Sequence, residues 1–224
     1  MLYFPINLDI RGKRVVVVGG GEVACRKCRL LLRAGARVTV IAPRVAPGFH
    51  RLAAEGTVQH LERPYEPGDL AGALLVFAAT SDHAVNRMVA DEARAGGILA
   101  NIADAPGLGA FTLPATLSRG DLLITVSTAG KSPTFARTIR DRLATEFGPE
   151  YADVVELLGV IREKLLTGKG ETAYNDEVLS EFMTHDLPAL VKNRVTDEVD
   201  NLLLRLFGPD YTLANLGLRE KDHP

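Results

Sequence analysis

The stretch that decides the fold is VVVVGGGEVACRKCRLLLRAGARVTVIAPR, residues 15–44. Four valines lead into three glycines, an amphipathic segment and a second apolar run. Gly19, Gly21 and Ala24 fit the pattern G-x-G-x-x-A between a predicted strand and a predicted helix. The first glycine of this pattern forms a tight turn, and the second lets the backbone approach a pyrophosphate. The stretch therefore predicts a dinucleotide-binding turn, in which the helix N–H groups face the phosphates.

One part of the usual dinucleotide site is missing from this stretch. The second strand of such a unit commonly ends on Asp or Glu, which binds the ribose. Here the strand ends on Ala42, Pro43 and Arg44. Arg44 can meet a 2′-phosphate, which favours NADP, or it can be a solvated loop residue, and both interpretations stay open.

Residues 1–113 alternate short apolar strands with helices. The helix predicted at 22–35 places Val23, Leu30 and Leu31 on one stripe. Strands with short helical connections are typical of a doubly wound parallel sheet, so we predict an α/β, Rossmann-like domain. The predicted strands are 14–19, 37–42, 57–63, 73–80 and 98–103, and the predicted helices are 22–35, 47–56 and 81–97.

The pattern changes after residue 113. One strand is predicted at 121–128, and a helix at 132–147 has Ser132 as its N-cap and Pro133 at its first position. Further helices are predicted at 150–166, 174–184 and 187–207, with a loop at 167–176. We therefore expect three parts: a nucleotide-binding domain at 1–113, a segment at 114–148 and a small helical domain at 149–224.

The composition excludes several classes of protein. The 224 residues carry a formal net charge of -2, with 6% aromatic residues and no Trp, so nucleic acid is not an expected partner. No apolar run approaches the length of a membrane span, and the N-terminus lacks a signal-peptide pattern. The only cysteines, Cys25 and Cys28, lie on a predicted helix, where we expect them to pack on the sheet. The histidines show no ligand spacing, so we predict no metal site, and we expect a cytoplasmic protein.

Polar residues follow two of the later strands. Thr80 ends the fourth strand, at the edge where ligands bind to an open sheet, and is a candidate cofactor contact. Asn101 and Asp104 end the fifth strand, and we expect them to face the same crevice. Asp104 is a candidate proton acceptor, although Asp and Pro in DAPG also favour a turn.

Basic residues surround the helix that Ser132 caps. Lys131, Arg137 and Arg140 form a candidate anion-binding group, with Arg137 and Arg140 neighbours on the helix and Arg142 directed elsewhere. The alternative is a solvated basic face of an ordinary surface helix.

Four stretches together resemble the precorrin-2 dehydrogenase/sirohydrochlorin ferrochelatase family, which includes free-standing enzymes and the N-terminal part of siroheme synthase. The stretches are GGGEVACRKCRLLLRAGARVTVIAP, AATSDHAVN, NIADAPGLGAF and STAGKSPTFARTIRDRL. The resemblance runs through about residues 1–148 in order and fades after 150.

The resemblance implies oxidation of precorrin-2 to sirohydrochlorin with NAD, and in some members insertion of ferrous iron. Because the family generally lacks the ribose acid too, the resemblance implies that backbone at the end of the second strand holds the ribose. The implied NAD contacts are Gly19, Gly20, Gly21, Glu22, Val23, Pro43 and Arg44.

The resemblance also assigns Asp104 the role of the family's essential aspartate. Ser127 and Thr128 fall on the family's serine pair, whereas Lys131 replaces a more usual small polar residue. The substrate is a polycarboxylate, which is a suitable partner for cationic side chains. The substrate contacts that follow are Asn101, Ser127, Thr128, Lys131, Arg137 and Arg140. The resemblance further implies a homodimer through 114–148 and a helical tail that helps to cover the tetrapyrrole.

Two other functions are compatible with the glycine turn. An NAD(P)-sensing regulatory module needs only that turn, but it has no chemical use for Asp104 or the basic helix. An NADP-dependent reductase of a small acid is motivated by Arg44.

Overall fold

The structure is a computed structural model that describes residues 2–54, 58–167 and 176–218. The end of the helix predicted at 47–56 and most of the loop predicted at 167–176 lie outside the described residues. The chain divides into two compact units, residues 1–113 and 114–224.

The first unit is built around a parallel sheet of five strands. The strand order is β3-β2-β1-β4-β5, so the chain winds outward in both directions from β1. This arrangement confirms the predicted α/β Rossmann-like fold. The elements are β1 Arg14–Val18, α1 Glu22–Arg33, β2 Arg37–Ile41, α2 Gly48–Ala54, β3 Val58–Leu61, β4 Leu75–Ala78, α3 His83–Ala95 and β5 Leu99–Ile102.

Strand β1 is buried on both of its faces. Val15 and Val17 pack into the apolar cluster that includes α1 and α2, whereas Val16 and Val18 pack into the cluster that includes α3. Successive side chains of a strand point to opposite faces, so a strand covered by helices on both sides needs an unbroken apolar run. The four valines therefore form the centre of the unit.

Helix α1 contacts the sheet with a different stripe from the one predicted. Val23 and Leu30 are close to half exposed, and only Leu31 of the predicted stripe is buried. The other buried residues are small, namely Ala24, Cys25 and Cys28. Small side chains let the helix approach the sheet closely, so the expectation for the cysteines is confirmed and that for Val23 and Leu30 is wrong.

The second unit begins with an antiparallel pair of strands, of which the first was not predicted. Strand β6 contains one large apolar residue, Leu117, and Gly120 turns the chain with a φ of 55°. The elements are β6 Ala115–Arg119, β7 Leu122–Val126, α4 Pro133–Glu146, α5 Glu150–Thr167, α6 Asp176–Thr184, α7 Leu187–Lys192 and α8 Thr196–Phe207.

The helix predicted at 187–207 is two helices. Asn193 ends α7, and Arg194 has a φ of 55°, in the left-handed region that stops a helix. Helix α8 then begins with acidic residues, Asp197 and Glu198, in its first turn, where they favour a helix N-terminus.

Helices α5 to α8 share an apolar core of their own. Leu157, Ile161, Phe182 and Leu203 are buried in it together. Among the described residues, no helix combines the length and the apolar character that crossing a bilayer requires.

The N-cap of α4 gives a test of this local structure. Ser132 Oγ accepts a hydrogen bond of 3.2 Å from the N–H of Phe135, as the sequence predicts. We expect Ser132→Ala to lower the free energy of unfolding by about 1 kcal/mol, because one helix N–H loses its partner. Urea denaturation measures the change, and Ser132→Asp, which keeps a capping oxygen, should retain the wild-type value. An alanine variant as stable as wild type would contradict the assignment.

Candidate active site

The three consecutive glycines have three different environments. Gly19 has a φ of 119°, and a Cβ on it would lie 2.5 Å from Ala79 O. A Cβ on Gly20 would lie 2.0 Å from Arg44 O, so both positions exclude a side chain on structural grounds. A Cβ on Gly21 would meet nothing within 4 Å, and its backbone is in an extended conformation that any residue adopts. The fold itself therefore gives no reason for a glycine at position 21, whereas close approach of a ligand does.

Gly21 is also the N-cap of α1, and it offers no side chain to cap the helix. The first N–H groups of a helix have no partner within the helix. Those of Glu22 and Val23 are consequently available to an anion, and the positive end of the helix dipole favours one. A diphosphate fits this combination of open space and free donors.

The loop after β2 is fixed against the glycine turn. Ala46 N–H donates to Gly20 O at 2.7 Å, and Arg44 O packs over Gly20. Pro43 and Arg44 are exposed. Their backbone thus lies next to the turn in place of a ribose-binding acid, and their predicted contact with the ribose stays a prediction.

Asp104 lies in a network of side chains that joins β4, α3 and the segment after β5. Asn86, which is fully buried, donates from Nδ2 to Asp104 Oδ1 at 2.8 Å, and Thr80 Oγ1 donates to Asn86 Oδ1 at 2.8 Å. The other carboxylate oxygen, Oδ2, accepts a hydrogen bond from Nδ1 of His83. Thr80 and Asp104 are therefore brought together, as the sequence predicts. Asn86 bridges them and His83 contacts Asp104 alone, and the sequence analysis singled out neither residue as part of this site.

These hydrogen bonds stabilise the charged form of Asp104. The hydrogen bond from His83 is the main cause that lowers the pKa of the Asp104 carboxyl below its usual range, and that from Asn86 acts in the same direction. The Asp104 side chain retains 22% of its exposure. At neutral pH the site thus presents an ionised carboxylate that solvent and ligands reach.

Asn101 contacts a different helix from Asp104, and the expectation that the two face one crevice stays a prediction. Its Oδ1 accepts a hydrogen bond of 2.7 Å from Lys27 Nζ, and its Nδ2 donates to Phe111 O at 3.1 Å. Residues 101 and 104 differ because Asn101 is within β5 and points to the α1 side, whereas Asp104 follows the strand. A substrate contact at Asn101 stays a prediction.

Lys27 is a residue that the sequence did not identify. Its ammonium lies 5.0 Å from the centre of the Phe77 ring, and burial is the main cause that lowers its pKa, followed by the charge of Arg26. The sequence carries no signal for this contact, because α1 contains several basic residues and their orientation follows from packing.

The predicted substrate residues of the second unit lie in the turn between β7 and α4 and on α4 itself. Ser127 Oγ accepts from the N–H of Ala129, and Thr128 Oγ1 accepts from the N–H of Ser132, so both hydroxyls shape the turn. Lys131 and Arg137 are exposed, whereas Arg140 pairs with Asp141 at 2.6 Å. Exposed cations near a helix N-terminus suit a carboxylate ligand, and the roles of these residues stay predictions. Among the described residues, no group of three or more His, Cys, Asp or Glu side chains could hold a metal ion.

The fold and the glycine turn define an NAD(P)-binding protein of the Rossmann type. Residues 6–115 match a family model described as "Putative NAD(P)-binding", which agrees with the predicted NAD cofactor. Residues 119–146 match a second model, "Sirohaem biosynthesis protein central".

Relatives and a solved structure extend this result. The chain is 40% identical over 178 residues to a siroheme synthase of Methylobacillus flagellatus, and 43% identical over 166 residues to one of Chromobacterium violaceum. These alignments cover 78% and 70% of this chain but 38% and 35% of the relatives, so the chain spans little more than a third of their length. The solved structure "SirC, precorrin-2 dehydrogenase" is similar with a TM-score of 0.73 and 28% identity, covering 91% of this chain and 98% of that one. The chain belongs to the precorrin-2 dehydrogenase family, to which the N-terminal part of siroheme synthase also belongs.

The contrast between Gly20 and Gly21 gives a prediction for cofactor binding. We expect Gly21→Val to fold with little change in Tm and to lose NAD binding, because the valine fills the open space at the helix N-terminus. We expect Gly20→Val to fail to fold, because its side chain collides with Arg44 O. Thermal melting and calorimetric titration with NAD measure the two effects.

Gly159 supplies the control for the glycine variants. A Cβ there also meets nothing within 4 Å, and the residue lies in α5 of the second unit. Gly159→Val should therefore bind NAD as wild type does. If Gly21→Val bound NAD with wild-type affinity, the NAD phosphates could not lie at the N-terminus of α1, and the prediction would be wrong.

Proposed function

We propose that this chain oxidises precorrin-2 to sirohydrochlorin with NAD as the oxidant. The observation that carries the proposal is that the phosphate-binding turn and an ionised carboxylate occupy the same edge of one sheet. The likeness to a precorrin-2 dehydrogenase over 98% of that chain supports this choice of substrate. Insertion of ferrous iron stays a prediction from the resemblance. The free thiols of Cys25 and Cys28 support a reducing compartment such as the cytoplasm.

The geometry of the sheet edge supports a reaction between two bound molecules. The glycine turn follows β1, Thr80 follows β4 and Asp104 comes after β5. Strands β1, β4 and β5 are successive neighbours, so the turn and Asp104 are about two strand spacings, roughly 10 Å, apart. Ligands of doubly wound sheets bind at this carboxyl edge.

The chemistry divides between the cofactor and the chain. NAD, when bound, accepts a hydride from the substrate. The oxidation also releases a proton, and the Asp104 carboxylate is an acceptor that the protein holds in its charged form. Asn86 fixes the orientation of this carboxylate, and because Asn86 is itself buried and bonded to Thr80, the acceptor oxygen has a defined position.

The carboxylates of a tetrapyrrole are suited to the cations of the second unit. Lys131 and Arg137 are exposed, and neither has an acidic partner among the described ion pairs. The guanidinium of Arg140 is partly neutralised by Asp141, so we assign it a smaller share of substrate binding.

We also propose that the segment 114–148 forms a homodimer. Helix α4 buries a single residue, Ala136, within its own chain, and Phe135 is 58% exposed. The two-stranded sheet β6–β7 also leaves Leu123 exposed. The strand pair packs on α4 and α5 of its own chain but leaves these apolar side chains in water, so a second copy that covers them would stabilise the segment.

The role of Asp104 is tested by two variants. We expect Asp104→Ala to keep NAD affinity and to lose about 10²- to 10⁴-fold in kcat, because the proton acceptor is gone. Asp104→Asn is the sharper variant, since asparagine fits the same turn and bonds to Asn86 through its carbonyl oxygen. Formation of NADH from anaerobically prepared precorrin-2, at saturating NAD, measures both.

The asparagine variant decides between a chemical and a structural role. Strong loss of turnover in Asp104→Asn supports proton acceptance by Asp104. Turnover near that of wild type would mean that Asp104 only stabilises the turn after β5. A wild-type protein that produces no sirohydrochlorin under these conditions would contradict the proposed function as a whole.

The dimer is tested by light scattering at micromolar concentration. We expect twice the mass of the chain for wild type and a shift toward monomer in Phe135→Glu, because the substitution places a charge in the covered apolar face. Leu166→Glu is the control, since Leu166 is an equally exposed apolar residue of α5, outside this segment. A stable wild-type monomer would contradict the proposal.

A further inference from the structure

The first residue of α3 contacts the same carboxylate from the solvent side. His83 follows the N-cap residue Asp82, and its Nδ1 hydrogen-bonds Asp104 Oδ2. The His83 side chain is 84% exposed, while that of Asp104 is 22% exposed. The imidazole thus connects a partly buried carboxylate to bulk water.

We propose that His83 is a positioning residue for Asp104 that also carries the substrate proton from this carboxylate to solvent. The proposal rests on the proposed function, because it concerns the proton that the oxidation of precorrin-2 releases. It assigns the two oxygens of Asp104 different partners: Asn86 holds Oδ1 from the buried side, and His83 exchanges a proton with Oδ2 from the exposed side.

The proton transfer is balanced within this pair. The substrate loses a hydride to NAD and a proton to the Asp104 carboxylate. The neutral ring, whose Nδ1–H bonds the carboxylate before the reaction, exchanges through solvent to the Nε2–H tautomer once the carboxylate is protonated. Nδ1 then accepts the proton from Asp104 and Nε2 releases its proton to water, which restores the carboxylate and the Nδ1–H that bonds it. The pair returns to its starting charge, and the net products are NADH, the oxidised substrate and one solvated proton. An imidazole suits this task because its ordinary pKa is near neutrality and its two nitrogens exchange protons independently.

The charges around His83 favour a specific pairing with Asp104. Asp82, next to it on α3, directs its carboxylate to the backbone N–H groups of Ala84 and Val85 at the helix N-terminus. Arg87 lies one turn further along the same helix. Asp104, from the segment after β5, is therefore the acid that contacts the ring, and the hydrogen bond from His83 is the main cause that lowers the Asp104 pKa.

A structural ion pair is the alternative explanation of the same contact. Exposed pairs of this kind contribute little to stability, so a purely structural role predicts unchanged chemistry in a variant that folds. The two explanations therefore separate in the pH dependence of the rate and in the titration of Asp104.

The first experiment compares His83→Asn with Arg87→Gln. Asparagine removes the titrating ring, and glutamine removes a neighbouring charge on the same helix without touching the hydrogen bond. We expect His83→Asn to keep wild-type NAD affinity, to lose roughly 10- to 100-fold in kcat, and to change the shape of the pH–rate profile. Arg87→Gln should keep the wild-type kcat and pH–rate profile. Because position 83 is exposed, His83→Gln is a second variant with the same expected behaviour.

The second experiment needs no turnover. Carboxyl carbon NMR follows the titration of Asp104 in the protein without ligands. Since the imidazole N–H stabilises the carboxylate, His83→Asn should raise the Asp104 pKa toward its ordinary value, whereas Arg87→Gln should leave it close to that of wild type.

The outcomes distinguish this inference from the proposed function. If the wild type is active and His83→Asn has the same kcat and pH–rate profile, the relay alone is overturned. The relay alone is also overturned if His83→Asn leaves the Asp104 pKa unchanged. A wild type that does not oxidise precorrin-2 overturns the proposed function and the relay with it.

Discussion

The contact between the glycine turn and the two neighbouring loops is the constraint on which the nucleotide-binding unit depends. Gly20 lies directly beneath Arg44 O, and Gly19 lies against Ala79 O, with no room for a Cβ at either position. These contacts join the carboxyl ends of β1, β2 and β4 into one edge. Backbone atoms of the neighbouring loops fill the space around Gly19 and Gly20, whereas the space around Gly21 is open. An anionic ligand can therefore reach the N–H groups at the start of α1.

The same edge shows how a carboxylate is placed by hydrogen bonds from an amide and an imidazole. Asn86 is the fourth residue of α3 and is buried, and its amide bonds to Thr80 and Asp104. A buried amide with both ends bonded has one orientation, since any other would leave a polar group unpaired. The fixed Asn86 amide in turn orients Asp104 through Oδ1, and the other oxygen, Oδ2, faces His83.

Much of the fold follows from the sequence, and the exceptions have physical causes. The parallel sheet is predicted because strands covered on both faces are continuous apolar runs, as Val15–Val18 show. Strand β6 is not, because its partner and turn compensate for a weak apolar pattern around Leu117. The break before α8 is hidden because apolar residues recur at helical spacing through it, and only the left-handed backbone of Arg194 reveals the stop.

The candidate site divides in the same way. The glycines, Thr80 and Asp104 are found from the sequence because strand ends and glycine patterns are local signals. His83, Asn86 and Lys27 are not, because each reaches a partner at least 18 residues away along the chain. The glycine turn and Asp104 both lie within residues 1–113. The proposed substrate cations lie in the turn after β7 and on α4, a helix that buries only Ala136 within its own chain. The proposed cofactor site is therefore contained in the first folded unit.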